Sequence, residues 1–80
     1  MEYTVYILRD RNGKIYKGVS NNLQRRIKEH KKGGTRTTSR MSGISLVYTE
    51  KFDTFEQARK RELYLKSAAG RRFLKKILGP

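Results

Sequence analysis

Residues 3–9 and 14–19 are rich in Tyr, Val and Ile and enclose Asp10-Arg11-Asn12-Gly13, which commits this part of the chain to a β-hairpin. Two turns compete. A two-residue type I′ turn at Asn12-Gly13 pairs Arg11 with Lys14 and leaves Tyr6 and Tyr16 on opposite faces. A three-residue loop with Gly13 in the left-handed region pairs Asp10 with Lys14 instead. It gathers Tyr3, Val5, Ile7, Ile15 and Val19 on one face, with only Lys17 out of place. The other face then carries Thr4, Tyr6, Leu8, Lys14, Tyr16 and Gly18. That separation is cleaner, so the bulged loop is the reading adopted. It sets Gly18 across from Tyr6 with no side chain to cover it, and two phenols beside open backbone make a candidate pocket floor. Ordinary amphipathic strand tyrosines would give the same pattern.

Asn21 or Asn22 can cap a helix that runs to about Lys32 and ends at Gly33-Gly34. Leu23 and Ile27 point inward from it, and Arg26 and His30 lie side by side on one flank of that stripe. An arginine there can grip a phosphate through its fork of donors, and a histidine can donate a hydrogen bond or move a proton. Taken alone, Arg26 reads as a stem covering apolar surface and His30 as a cation favoured by the helix C-terminus. Asp53 or Thr54 can cap a second helix through about residue 68. Its apolar stripe of Phe55, Ala58, Leu65 and Ala69 has Glu62 in the middle. An unpaired buried carboxylate costs several kcal/mol, so this one needs a partner. The choices are an ion pair with Arg26 or a divalent metal ion completed by water and phosphate.

Composition narrows the partner. Lys and Arg number 20 against 7 Asp plus Glu, a net charge of +13. A surface so unbalanced repels itself and suits a polyanion, with nucleic acid the first choice. There is no long apolar run, no strongly amphipathic surface helix and no lipidation signature, which argues against a membrane. Without cysteine there is no disulfide or thiolate site, and one histidine rules out a multi-histidine zinc site. No signal-like stretch precedes Tyr3, so the expected location is cytoplasmic. Residues 1–80 are read as one domain, near the lower size limit for independent folding.

Taken together, these segments resemble the GIY-YIG nuclease superfamily. Thr4-Val5-Tyr6 stands where the family has Gly-Ile-Tyr, and Tyr16-Lys17-Gly18 where it has Tyr-Ile-Gly. Asn22-Leu23-Gln24-Arg25-Arg26 is similar to its Asn/Asp-Leu-x-x-Arg helix start, which aligns the family's arginine with Arg26. His30 matches a histidine found one turn later, and Glu62 the metal-binding glutamate. The likeness is closest to small stand-alone members resembling the GIY-YIG nuclease domain of excinuclease. It departs at Thr4, Val5 and Lys17, and in having no Asn after Asn22.

The resemblance implies an α+β fold, a three-stranded antiparallel sheet packed with three helices. It also implies endonucleolytic hydrolysis of DNA phosphodiesters with Mg²⁺, or Mn²⁺ in its place. Tyr6, and in some accounts Tyr16, would help activate water, Arg26 would stabilise charge on the phosphate, His30 would assist and Glu62 would hold the metal. Lys17, Arg25, Lys31, Lys32, Arg36 and Arg40 are the expected DNA contacts, the last two in the Gly/Ser/Thr-rich stretch Gly33–Gly43. A second basic run, Arg71, Arg72, Lys75 and Lys76, falls on an expected C-terminal helix that docks through Phe73, Leu74, Ile77 and Leu78. Such contacts position a backbone without reading sequence. Branched, nicked or otherwise distorted DNA is therefore the expected substrate, with repair or recombination as setting and a protein partner in trans compatible with so small a unit. The rival reading is a non-catalytic nucleic-acid binder on the same fold, with RNA open as ligand under either.

Overall fold

The computed structural model describes residues 2–32 and 43–79. Strand β1 (Tyr3–Arg9) leads into β2 (Ile15–Ser20), helix α1 (Leu23–Lys31), strand β3 (Ser45–Phe52) and helices α2 (Phe55–Lys66) and α3 (Ala68–Leu78). The strands form one antiparallel sheet in the order β2-β1-β3. This is the expected α+β arrangement of three strands and three helices. Arg36, Arg40 and the stretch from Gly33 to Ser42 lie outside the described residues.

The hairpin closes through the bulged loop. The Asp10 N–H donates to the Lys14 carbonyl at 2.9 Å, and Gly13 has φ 86°. Asp10 Oδ1 accepts from the Asn12 and Lys14 N–H groups at 2.9 and 2.7 Å, an Asx-type brace that explains the acid at this position. Tyr6 consequently pairs with Gly18, as the loop length requires. Alternation then separates two faces. Val5 and Ile7 meet Ala58, Leu65 and Leu74 in the core beneath α2 and α3. Tyr6 and Leu8 turn to the other face, where both are fully buried. Ile15, on the same face as Val5 and Ile7, is 42% exposed because it begins the outer strand.

β3 was not legible from its own residues, and a register shift explains why. Ile7 pairs with Tyr48 but Leu8 with Leu46, so Val47 is the extra residue of a bulge. Beyond it, Tyr48, Glu50 and Phe52 lie opposite Ile7, Val5 and Tyr3, on the helix-covered face. Glu50 therefore needs a partner, and Arg61 of α2 donates to both its oxygens at 2.8 and 3.0 Å while the Tyr48 hydroxyl also donates to it. The Arg61 guanidinium lies 4.9 Å from the Tyr64 ring centroid and 5.0 Å from that of Phe73. One side chain thus ties β3, α2 and α3 together.

Helix α1 is capped by Asn22, whose side chain accepts from the Arg25 N–H, and α2 by Thr54. The second helix is shorter than expected. It stops at Lys66, where Ser67 ends α2 and caps α3 by accepting from the Gly70 N–H. Ala69 therefore belongs to α3, and Phe55 is half exposed, so the buried face of α2 is Ala58, Glu62 and Leu65.

Candidate active site

Tyr6 sits on the central strand, and its ring reaches across the outer strand. A Cβ built on Gly18 would lie 2.6 Å from Tyr6 Cζ and from its hydroxyl oxygen. The bare backbone of Gly18 is therefore the channel through which the phenol passes toward the sheet edge. There the hydroxyl lies 2.8 Å from His30 Nε2 of α1. The Tyr16 ring closes the group, with centroids 6.1 Å from Tyr6 and 4.7 Å from His30. His30 is fully buried. This argues against the alternative reading of His30 as a cation favoured by the helix C-terminus, because a ring wedged between two phenols has no water to support its charge.

Burial pushes the Tyr6 phenol up from 10.0 to about 12, with an Arg26 hydrogen bond pulling it down and Tyr16 adding to the rise. A tyrosine needs a nearby cation to become a base near neutral pH. The cation is present, but desolvation outweighs it. Burial, then Arg26, holds His30 below its ordinary 6.5, with Glu29 acting the other way. Near neutral pH the pair is thus a neutral phenol against a neutral imidazole, one hydrogen bond apart.

Arg26 joins this group, and its guanidinium holds its proton more tightly than usual, first through Tyr6. It also donates to Glu29 at 3.0 Å, a pair with both side chains about 40% exposed. The alternative partner, Glu62, makes its ion pairs with other residues. Its oxygens are taken up by Arg59 and by Lys66, the latter at 3.5 Å, both on its own helix. So the Glu62–Arg26 ion pair does not form: each residue finds its countercharge one helical turn away, on its own element. The carboxylate is still only 7% exposed. It shares the buried face of α2 with Ala58 and Leu65.

Among the described residues no three His, Cys, Asp or Glu side chains gather as a metal cage. A single ordered carboxylate is still a sufficient protein donor for a magnesium-sized ion that keeps waters and takes phosphate oxygens. Arg59 and Lys66 are each about half exposed and able to swing aside. Glu62 therefore fits a divalent ion as its one carboxylate donor.

The expected nucleic-acid contacts separate. Arg25, Lys31 and Lys32 are exposed on or just after α1. Lys17 is on the other side of the sheet, lining a cavity of about 400 Å³ with Arg9, Arg71, Lys75 and Leu74. Burial, then Arg71 and Lys66, lowers its affinity for a proton. The α1 cations and Lys17 thus form two basic surfaces. A third feature went unread in the sequence. Arg25 and Arg26 share a cavity of about 310 Å³ with Tyr3 and Phe55, and the only signal for it along the chain is an aromatic at a helix start.

Known proteins resemble this chain in sequence and fold. Residues 2–76 match the model of the GIY-YIG catalytic domain. A UPF0213 protein of Clostridium perfringens is 41% identical over 63 residues, 78% of this chain and 68% of that protein. One from Staphylococcus saprophyticus is 34% identical over 77 residues, covering 95% of this chain and 94% of its own. The solution NMR structure of a UPF0213 protein from Bacillus halodurans superposes with a TM-score of 0.60 at 33% identity, over 99% of this chain and 87% of that one. Among the described residues no helix is long and apolar enough to cross a membrane.

Proposed function

Since the chain belongs to the GIY-YIG catalytic-domain family, a nuclease family, we propose that it is a divalent-metal-dependent DNA endonuclease. Its substrate in this reading is branched, nicked or otherwise distorted DNA, cut with low sequence selectivity. The supporting observation is the buried Tyr6–His30 hydrogen bond with Arg26 beside it. A phenol pushed up to about 12 cannot serve as a standing phenolate, but it can pass a proton on. Water loses a proton to the Tyr6 oxygen as the Tyr6 hydroxyl proton moves to His30 Nε2. The hydroxide forms the new P–O bond, the ester P–O bond breaks, and the departing oxygen takes a proton from solvent. Arg26 exchanges its exposed Glu29 partner, worth little in water, for a non-bridging phosphate oxygen whose charge grows in the transition state. Tyr16 packs the imidazole in place. Glu62 would hold the metal ion, which when bound supplies positive charge against the phosphate oxygens.

Arg25, Lys31 and Lys32 lie on the helix that carries Arg26 and His30 or directly after it, so they support the role of backbone contacts near the cut; Arg36 and Arg40 extend that proposal. Lys17, with Arg71 and Lys75, would grip a more distant stretch of strand. Cytoplasmic action in repair or recombination, with a partner in trans, completes the reading.

The test is incubation with nicked and branched oligonucleotides in Mg²⁺ or Mn²⁺, against an EDTA control. Tyr6→Phe, His30→Ala and Glu62→Gln should each lower cleavage by about 10²-fold or more, the range of a lost proton-transfer group, while binding persists. The capture of Glu62 by Arg59 and Lys66 favours one other reading, a non-catalytic binder. Tight DNA binding with no cleavage under any divalent metal would establish that reading instead.

A further inference from the structure

Where β2 runs into α1, the 310 Å³ cavity brings Tyr3, Val19 and Phe55 together with Ser20, Arg25 and Arg26. Phe55 is the first residue of α2 and 51% of it is open to solvent, so its ring is accessible. Its ring packs edge-on to Tyr3 with centroids 5.7 Å apart. In the same cavity the Arg26 side chain is 38% exposed and paired with Glu29, and the Arg25 side chain is 67% exposed. An accessible aromatic ring next to two guanidinium groups fits a flat, π-faced group joined to an anion.

We propose that this cavity receives an unpaired nucleobase of the DNA strand, stacked on Phe55, while the phosphate joined to it meets Arg25 and Arg26. A base within a duplex already has neighbours on both faces and its partner across the helix, so it enters only at an energetic cost. A base in a flap, gap or frayed end enters freely. The site therefore selects strands with an unpaired nucleotide beside the phosphate at Arg26, and Phe55 is a positioning residue for them. The inference deepens the nuclease reading and rests on it for the identity of that phosphate, but base stacking is measurable without cleavage.

The chain has no tryptophan, so Phe55→Trp introduces a single reporter. In EDTA, a duplex carrying a one-nucleotide flap should quench its emission, and the fully paired duplex should leave it nearly unchanged. In the unaltered protein, 2-aminopurine at the flap position should itself be quenched. Phe55→Leu keeps an apolar side chain at the helix start and removes the π face. It should weaken flap binding by about tenfold, within the range of one lost stack, and duplex binding by less than twofold, with unfolding midpoint unchanged. Equal affinities for Phe55→Leu and the unaltered protein, with 2-aminopurine unquenched, would overturn the proposal even if cleavage persists. Quenching in a protein that cuts nothing would keep this inference and remove the nuclease reading.

Discussion

At the scale of single residues, the site depends on a side chain that is absent. Gly18 has an ordinary backbone conformation, so its glycine is explained by the Tyr6 phenol lying over it. Gly18→Ala should therefore push the phenol off His30. We expect about a 10²-fold loss of cleavage against a stability cost of roughly 1–3 kcal/mol, the usual range for an overpacked core, checked by single-turnover kinetics and urea denaturation. Retained activity would separate the phenol from the chemistry. His30 gives a second outcome. Its folded-state pKa is below 6.5, so between 6.5 and that lower value the unfolded chain binds more protons than the folded one. This contribution to stability is complete above that window and lost as pH falls through it. His30→Gln keeps a hydrogen-bonding group without a titrating one, and its unfolding free energy should be flatter from pH 7.5 to 5. That Tyr6 faces Gly18 was legible once the separation of strand faces had chosen between the two turns. The partners of Glu62 were not, since periodicity assigns a residue to a face but does not choose among the cations around it.

Secondary-structure elements meet closely at the α2–α3 joint. A glycine in a helix interior ordinarily lowers helix stability by about 1 kcal/mol relative to alanine, and Gly70, in the first turn of α3, would be expected to gain from alanine in the same direction. Here a Cβ would lie 2.0 Å from the Tyr64 carbonyl oxygen and 2.4 Å from Leu65 Cα, both backbone. Gly70→Ala should thus destabilise the fold despite its better propensity, by about 3 kcal/mol or more, seen as a lower urea midpoint. A stabilised variant would mean that α3 does not cross so close to α2. Arg61→Leu strands the half-buried Glu50 carboxylate and should cost about 2 kcal/mol, tempered because the pair is partly exposed. Replacing Glu50 by Leu as well should recover most of that loss in a double-mutant cycle. Neither feature was visible beforehand. The second helix was expected to continue to about residue 68, since Ser67 interrupts it through capping geometry rather than through a proline or a glycine pair. β3 escaped because its bulge at Val47 breaks the alternation that reveals a strand.

Across the whole molecule, a charge of +13 on 80 residues makes association with DNA an ion-exchange process. If about six phosphates are neutralised, affinity should fall by roughly 10³-fold between 50 and 200 mM salt. Arg25→Ala should reduce the slope of log K against log salt by about one, and equally for unrelated sequences. A change confined to one sequence would show base reading instead. The preference for a polyanion, the opening hairpin, the three helices and the shared face of Tyr6 and Tyr16 all follow from composition, periodicity and turn geometry, whereas the third strand came only with the family resemblance. Composition, periodicity and turn geometry are properties of neighbouring residues, and any compact form of this chain must respect them. Burial of His30, the rise of Tyr6 to about 12, the Arg61 clamp and the opening beside Phe55 were decided only when distant elements packed. Each depends on how much water is removed from a polar group and which charge is left facing it. That is set by the three-dimensional meeting of β2, α1 and α2, and no local pattern carries it.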